Sequence, residues 1–180
     1  MKGTPVTASK IISDSPVRPT EADNELLASA QAAALATRDL YQAAVAAGAT
    51  GDHTATFVSL AAHHDAYAQA ISSLIGRAAP QARDDELFSA NKSDFESDAT
   101  TAALAAHTLE NSLVAAHTEL VGALEGTEGA ALIASMVVIE SRHVVALATI
   151  AGKSPVGDID LFLVTPEAAQ ADAQTTTPVA

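Results

Sequence analysis

The sequence of 180 residues contains no cysteine and no tryptophan, and only 3% of its residues are aromatic. The lack of cysteine excludes disulfides, zinc–thiolate sites, iron–sulfur clusters and thiol catalysis, but it leaves the redox compartment open. Basic residues are also scarce: 9 Lys and Arg stand against 22 Asp and Glu, which gives a formal net charge of −13. This balance argues against nucleic acid and anionic membrane surfaces as partners, because both are bound through Lys and Arg.

Long uninterrupted apolar runs are missing as well. The most apolar stretch, residues 130–152, is about as long as a membrane span, but Glu140, Arg142 and His143 interrupt its middle. We therefore expect a buried helix there and no membrane insertion. The first twenty residues lack the apolar segment of a signal peptide. We expect a soluble protein, cytoplasmic as given or exported after removal of a signal.

What the sequence has in abundance is alanine, with 42 residues. Alanine is the best helix former and a poor strand former, so the composition predicts an all-α bundle. The motifs G-x-S-x-G, G-x-G-x-x-G and H-E-x-x-H do not occur. Their absence argues against an α/β-hydrolase nucleophile, a dinucleotide-binding loop and a zincin protease. No substrate follows from the sequence, and it does not decide whether the protein is an enzyme.

Capping signals and glycines divide the chain into four predicted helices. The first runs from a cap at Thr20 to Gly48, the second from about Asp52 to Gly76, the third from a Ser93–Glu96 capping box to Gly126, and the fourth from Thr127 to Gly152. The predicted domains are an extended lead-in at 1–19, a helical bundle at 20–152, and an extended or disordered segment at 153–180.

Loop lengths predict how the four helices are connected. The first and last connections are only a few residues long, so each helix pair should form an antiparallel hairpin. The middle connection, residues 77–93, is long enough to cross from one end of a bundle to the other. Sliding the chain by 76 residues also lays the first hairpin on the second without a gap, with Val45 on Val121 and Gly76 on Gly152. The two hairpins therefore look like related repeats.

Glu140 and His143 form the most informative polar pair, because they lie one helical turn apart within an apolar stretch. A carboxylate in such a place is costly unless it is hydrogen-bonded, paired or bound to a metal. The pair could provide one oxygen and one nitrogen ligand, or it could be an internal Glu–His hydrogen bond. Arg142 lies on the opposite face and should be solvated.

Two further residues lie at the same level of the predicted bundle. Glu110 is near the middle of the third helix and His64 near the middle of the second, with Tyr67 three residues later. An ion pair between Glu110 and Arg38 is an equally weighted alternative to a ligand role. Of the adjacent His63 and His64, only one should face inward. His107 and His117 should be peripheral to the site, and His53 should be exposed.

The segments TLENSLVAAH, VIESRHVVALATIAG and, more weakly, AAHHDAYAQAI resemble the ferritin-like superfamily, and in particular bacterial ferritin-like domain proteins of the actinobacterial type. The resemblance covers about residues 21–152 and implies a four-helix bundle of two hairpins joined by a long crossover. It also implies a di-iron pattern: a Glu from each of two helices and Glu-x-x-His from each of the other two. Here Glu110, Glu140 and His143 match that pattern. The departures are His64 at a Glu position, Tyr67 at a His position and Ala34 at the remaining Glu position.

These departures leave only two of the four expected carboxylates. The sequence therefore predicts a reduced site, mononuclear or vestigial, in which Glu110, Glu140, His143 and His64 hold one divalent ion such as Fe, Mn or Zn. The alternative is a metal-free bundle that serves as a structural or protein-interaction module. A homodimer is compatible with the sequence, and no specific protein partner is indicated.

Overall fold

The computed structural model describes residues 16–154 and 156–162 of the chain, and these residues are almost entirely helical. The helices are α1 (Glu21–Ala47), α2 (Thr54–Ile75), α3 (Asp85–Phe95), α4 (Ala99–Ala123) and α5 (Thr127–Ile150). Short 3-10 turns lie at Gly51–His53, Gly76–Ala78 and Ile159–Phe162, and no strand occurs among the described residues. The predicted all-α fold is confirmed. The expectations for residues 1–15 and 163–180 lie outside the described residues.

The two ends of α1 follow the sequence signals closely. Thr20 forms a capping box with Asp23: the Asp23 backbone N–H donates to Thr20 Oγ1 at 3.2 Å, and the Thr20 N–H donates to Asp23 Oδ2 at 2.9 Å. At the other end, Gly48 has a φ of 73°, in the left-handed region that favours glycine. The first predicted helix is therefore confirmed at both ends.

The connection between the hairpins contains the helix α3, which the sequence analysis missed. Ser93 lies inside α3, so the predicted capping box with Glu96 is wrong. Aspartates cap instead: Asp84 accepts from the Leu87 N–H at 2.9 Å, and Asp98 accepts from the first N–H groups of α4. The helix α3 is stabilised by Phe95, which is fully buried and belongs to a core cluster of the bundle. Two other apolar residues of α3, Leu87 and Phe88, pack against the same cluster.

The bundle is built from two hairpins, with α1 packed along α2 and α4 packed along α5, while α3 contacts both α1 and α4. Besides a small third cluster around Ala34, two larger apolar clusters fill the interior. One includes Phe57 of α2 and Leu147 of α5, and the other includes Ile71 of α2 and Ile133 of α5. Along both helices, residues 64–67 and 140–143 lie between the two clusters. The polar residues of interest therefore occupy a middle layer of the bundle.

The helix α5 is, by length and composition, the one described helix that could cross a membrane. The core helix of a soluble protein passes the same test. Here Glu140 and His143 lie in its middle, both are buried, and the helix packs along α4 within the bundle.

Candidate metal centre

The middle layer of the bundle brings together His64 from α2, Glu110 from α4 and His143 from α5. All three side chains are buried, and one possible ligand atom from each lies within 4.8 Å of the other two. Each residue sits near the centre of a long helix, so its position is fixed by a rigid support. The three residues were predicted as ligands, and the structure places them side by side.

Glu110 is the hub of this group. Its Oε1 accepts hydrogen bonds from the Tyr41 hydroxyl at 2.7 Å, from His64 Nε2 at 2.9 Å and from His143 Nδ1 at 3.1 Å. Burial by itself would raise the pKa of Glu110, but the charge of His64 and the hydrogen bonds from both histidines outweigh it and lower the pKa to about 2. Glu110 is therefore a carboxylate at neutral pH.

Glu140, the fourth predicted ligand, lies apart from this group of three. Its Oε2 accepts a hydrogen bond from His117 Nδ1 at 2.8 Å, and both side chains are buried. The alternative of an internal hydrogen bond between Glu140 and His143 is therefore wrong, because Glu140 pairs with His117 of α4. The structure divides the predicted ligand set into a triad and a neighbouring Glu–His pair.

Several buried polar atoms of this layer have no hydrogen-bond partner among the described residues. They are two carboxylate oxygens, one imidazole nitrogen and one phenol oxygen, namely Glu110 Oε2, Glu140 Oε1, His64 Nδ1 and Tyr67 Oη. An unsatisfied buried polar group costs about 1–3 kcal/mol, so native structures rarely gather several of them without a ligand or water. The layer therefore contains oxygen and nitrogen atoms that are free to act as ligands to a cation.

Two tyrosines complete the layer. Burial, followed by the charge of Glu110 and the hydrogen bond to it, raises the pKa of Tyr41 far above its ordinary value. Burial, followed by the charges of Glu140 and Glu110, also raises the pKa of the half-buried Tyr67. Both phenols are therefore neutral at physiological pH. Tyr67 lies close enough to Glu110 and Glu140 for the negative charges of both to raise its pKa.

A comparison with protein-family models identifies the family. The model described as "Ferritin-like domain" matches residues 22–153. The chain belongs to this ferritin-like family. No curated protein and no solved structure matched it. The buried His64, Glu110 and His143 of this ferritin-like domain form a group that could hold a metal ion.

Tyr41 was not predicted to belong to this layer of the ferritin-like domain, and His117 was predicted to be only peripheral. The 76-residue offset contains the signal, because it lays Tyr41 on His117. In the structure each one contacts the corresponding residue of its partner helix: the Tyr41 ring stacks on His64 at 5.8 Å between centroids, and His117 bonds Glu140. Applied to every polar residue of the second hairpin, the offset would have identified both.

Arg38 does not pair with Glu110, and that alternative is wrong. Its guanidinium donates to Asp39 at 2.7 Å and to Asp65 at 3.0 Å, on the partly exposed side of the α1–α2 hairpin. The physical reason is desolvation: a guanidinium is more cheaply neutralised near water by two carboxylates than inside the bundle. Tyr41, one turn further along α1, provides the contact to Glu110 instead.

The remaining histidines have separate places. His107 is buried, and its Nε2 donates to the Leu161 carbonyl at 2.8 Å, which ties the last described turn to α4. His63 is exposed, as expected if His64 faces inward, but its Nδ1 lies 2.9 Å from Nε2 of His143. Burial, followed by the charges of His143 and His64, lowers the pKa of His63.

A groove between α2 and α5 reaches this His63–His143 contact from the surface. Its volume is about 370 Å³, and it is lined by His63, Ala66, Tyr67, Ile139, Arg142 and His143. Arg142 is exposed, as predicted. One member of the buried triad, His143, therefore lines a groove that is open to solvent.

Proposed function

We propose that this ferritin-like protein binds one divalent metal ion through His64, Glu110 and His143, with Glu140 as a fourth donor. The observation that carries the proposal is the set of buried atoms in the middle layer that have no partner among the described residues, above all Glu110 Oε2 and Glu140 Oε1. Two carboxylate oxygens and two imidazole nitrogens are a donor set that suits Fe(II), Mn(II) or Zn(II). We make no proposal for a substrate.

The donor set favours one ion over two. A di-iron centre of the family type uses four Glu residues, which hold two cations close together and balance their charge. Here α1 presents Ala34, buried and without a donor, and α2 presents His64 in place of a Glu. Glu110 and Glu140 alone provide two negative charges, which match one divalent ion.

The residues of the chain have distinct roles in such a site. Glu110, ionised and held by the Tyr41 hydroxyl, provides a fixed negative charge. His64 Nε2 and His143 Nδ1 lie at hydrogen-bond distance from Glu110, so each histidine would bind an ion through its other ring nitrogen, or through the same nitrogen once the N–H proton has moved to the other one. His117 fixes the orientation of Glu140 from the opposite side, as an outer-shell partner does. A bound Fe or Mn ion would supply one-electron chemistry, whereas Zn would act as a Lewis acid.

Metal analysis of matched carboxylate variants tests the proposal. We expect about one ion per chain in the tag-free wild type, loss of the ion in Glu110→Gln, and affinity weakened by at least about tenfold in Glu140→Gln. Glu119→Gln, an exposed position on α4, is the control and should bind like the wild type. Far-UV circular dichroism checks that each variant folds. Sub-stoichiometric metal in the wild type, or full metal in Glu110→Gln, would refute the proposal.

A metal-free structural or interaction module is the second candidate. It is favoured by Glu110 Oε1, which already accepts three hydrogen bonds from side chains of the protein itself. Thermal unfolding separates the two functions, because an ion that binds only the native state adds about 2.7 kcal/mol when its free concentration is about 100 times Kd. A melting temperature that responds to neither added ion nor chelator would support the metal-free module.

A further inference from the structure

We propose that His63 and His143 form an outer cation-capture site at the floor of the α2–α5 groove, which passes the ion to the buried triad. The inference rests on the proposed function, since the buried triad is the destination. It adds a site and a ligand, His63, that lie outside the metal-ligand pattern of the fold.

The geometry of the two rings is suited to capture. Nδ1 of His63 faces Nε2 of His143 at 2.9 Å, and the rings are nearly parallel, with an interplanar angle of 8° and centroids 5.1 Å apart. His63 is exposed while His143 is buried, so the pair joins solvent to the interior. Metal–imidazole bonds are about 2.0–2.1 Å long, and a small outward rotation of the exposed His63 would admit an ion between the two nitrogens.

His143 is shared by the outer and inner positions. Its Nε2 faces His63, while its Nδ1 lies 3.1 Å from Glu110 Oε1 in the triad. A single imidazole therefore offers one nitrogen on the groove side and the other on the buried side. An ion that leaves Nε2 has its next ligand on the opposite edge of the same ring, and the ring proton moves the other way, from Nδ1 to Nε2, by exchange with solvent in the groove.

The charges along this route favour inward movement. The outer position offers two imidazole nitrogens and no carboxylate, and Arg142 lines the same groove with a positive charge. The inner position offers the Glu110 carboxylate, which no Lys or Arg contacts within the described residues. The outer position should therefore hold a divalent cation briefly, and the inner one should retain it.

Loading and removal kinetics test this route. Co²⁺ is added to metal-free protein by stopped flow, its visible absorption reports coordination, and a chelator then extracts it. The variant is His63→Gln, and His53→Gln is the matched control, because His53 lies at the start of α2 away from the groove. A transit ligand lowers the barrier in both directions, so its loss should slow loading and extraction by the same factor. We expect roughly a tenfold slowing, with equilibrium affinity and stoichiometry unchanged, comparable to the smaller effects of outer-shell changes.

Three other results would overturn the inference in distinguishable ways. Unchanged rates in His63→Gln, with Co²⁺ bound normally, would refute the route and leave the proposed function intact. An affinity about 10–100-fold weaker with an unchanged loading rate would mean that His63 only orients His143. A wild-type protein that takes up no Co²⁺ would overturn the proposed function and this inference together.

Discussion

The hydroxyl of Tyr41 donates a hydrogen bond to Oε1 of Glu110 at 2.7 Å, and so links α1 to the buried triad. Tyr41 is fully buried, and the edges of Phe57 and Phe95 pack against it with centroid distances of 5.6 Å. The helix α1, which has Ala34 where the family resemblance implies a Glu, thus contacts the triad through a phenol. Because both aromatic neighbours hold the ring, the hydroxyl fixes Glu110 in one position.

Removing this hydroxyl should destabilise the protein even when no metal is present. Tyr41→Phe deletes one of three hydrogen bonds to a buried carboxylate, and bonds to charged groups contribute about 1.5–3 kcal/mol. We expect a loss of that size in the free energy of unfolding, measured by urea denaturation at pH 7 with a chelator. Tyr67→Phe is the control, because the Tyr67 hydroxyl has no hydrogen-bond partner within residues 16–154 and 156–162 and its removal should not lower the free energy of unfolding. Equal losses in the two variants would contradict the role assigned to Tyr41.

Much of the fold could be predicted because its signals are local. Thr20 and Gly48 mark the ends of α1 through capping and backbone geometry, which depend on a few neighbouring residues. The two hairpins follow from short connections and from the 76-residue repeat. The helix α3 was not predicted, because its apolar side is short and Phe95 is buried only through contacts with helices that are distant in the sequence.

The site was predictable only in part, because hydrogen-bond partners are decided in three dimensions. Helical spacing and the family resemblance predicted one ligand set of Glu110, Glu140, His143 and His64, and the structure brings His64, Glu110 and His143 together without Glu140. Nothing local indicated that His117 would take Glu140 as its partner. The alternative ion pair between Arg38 and Glu110 does not form, because Arg38 instead pairs with Asp39 and Asp65 near the surface.

Asp23 should make the stability of the bundle depend on pH. Its side chain accepts hydrogen bonds from the backbone N–H groups of Thr20, Glu125 and Gly126, each at 2.9 Å, and so joins α1 to the α4–α5 turn. Burial would raise the pKa of Asp23, but these backbone donors outweigh it and lower the pKa below its ordinary value of 3.8. The stabilisation is therefore complete above pH 3.8 and is lost as the pH falls through the folded-state pKa.

Asp23→Asn tests this dependence, because the amide presents an NH₂ group to backbone donors. We expect it to reduce the free energy of unfolding by about 1–3 kcal/mol at pH 7, and the difference from wild type should shrink as the pH falls below about 4. Glu25→Gln, an exposed change on the same helix, should alter stability little at either pH. A difference between Asp23→Asn and wild type that stayed constant down to pH 2.5 would show that the carboxylate charge is not responsible.

Substitution by alanine should change the stability in opposite directions at Gly126, in the α4–α5 turn, and at Gly122, near the end of α4. At Gly126 an added Cβ would lie 2.7 Å from the Arg18 carbonyl oxygen, which is backbone and cannot rotate away. The segment before α1 would have to shift, although it now accepts hydrogen bonds from Thr127 and Glu128 at 3.0 and 2.9 Å. Overpacking of this kind costs about 1–3 kcal/mol, so Gly126→Ala should lower the urea midpoint.

Gly122→Ala provides the matched comparison, four residues earlier in α4. An added Cβ there meets nothing within 4 Å, and the helical backbone of this position suits alanine. We expect the free energy of unfolding to rise by up to about 1 kcal/mol, because alanine loses less conformational entropy than glycine in a helix. If both substitutions changed stability in the same direction, the close approach of the leading segment to the α4–α5 turn would not be what makes Gly126 necessary. Opposite signs would locate that requirement in the close contacts with Arg18 and Asp23, and not in the flexibility of glycine.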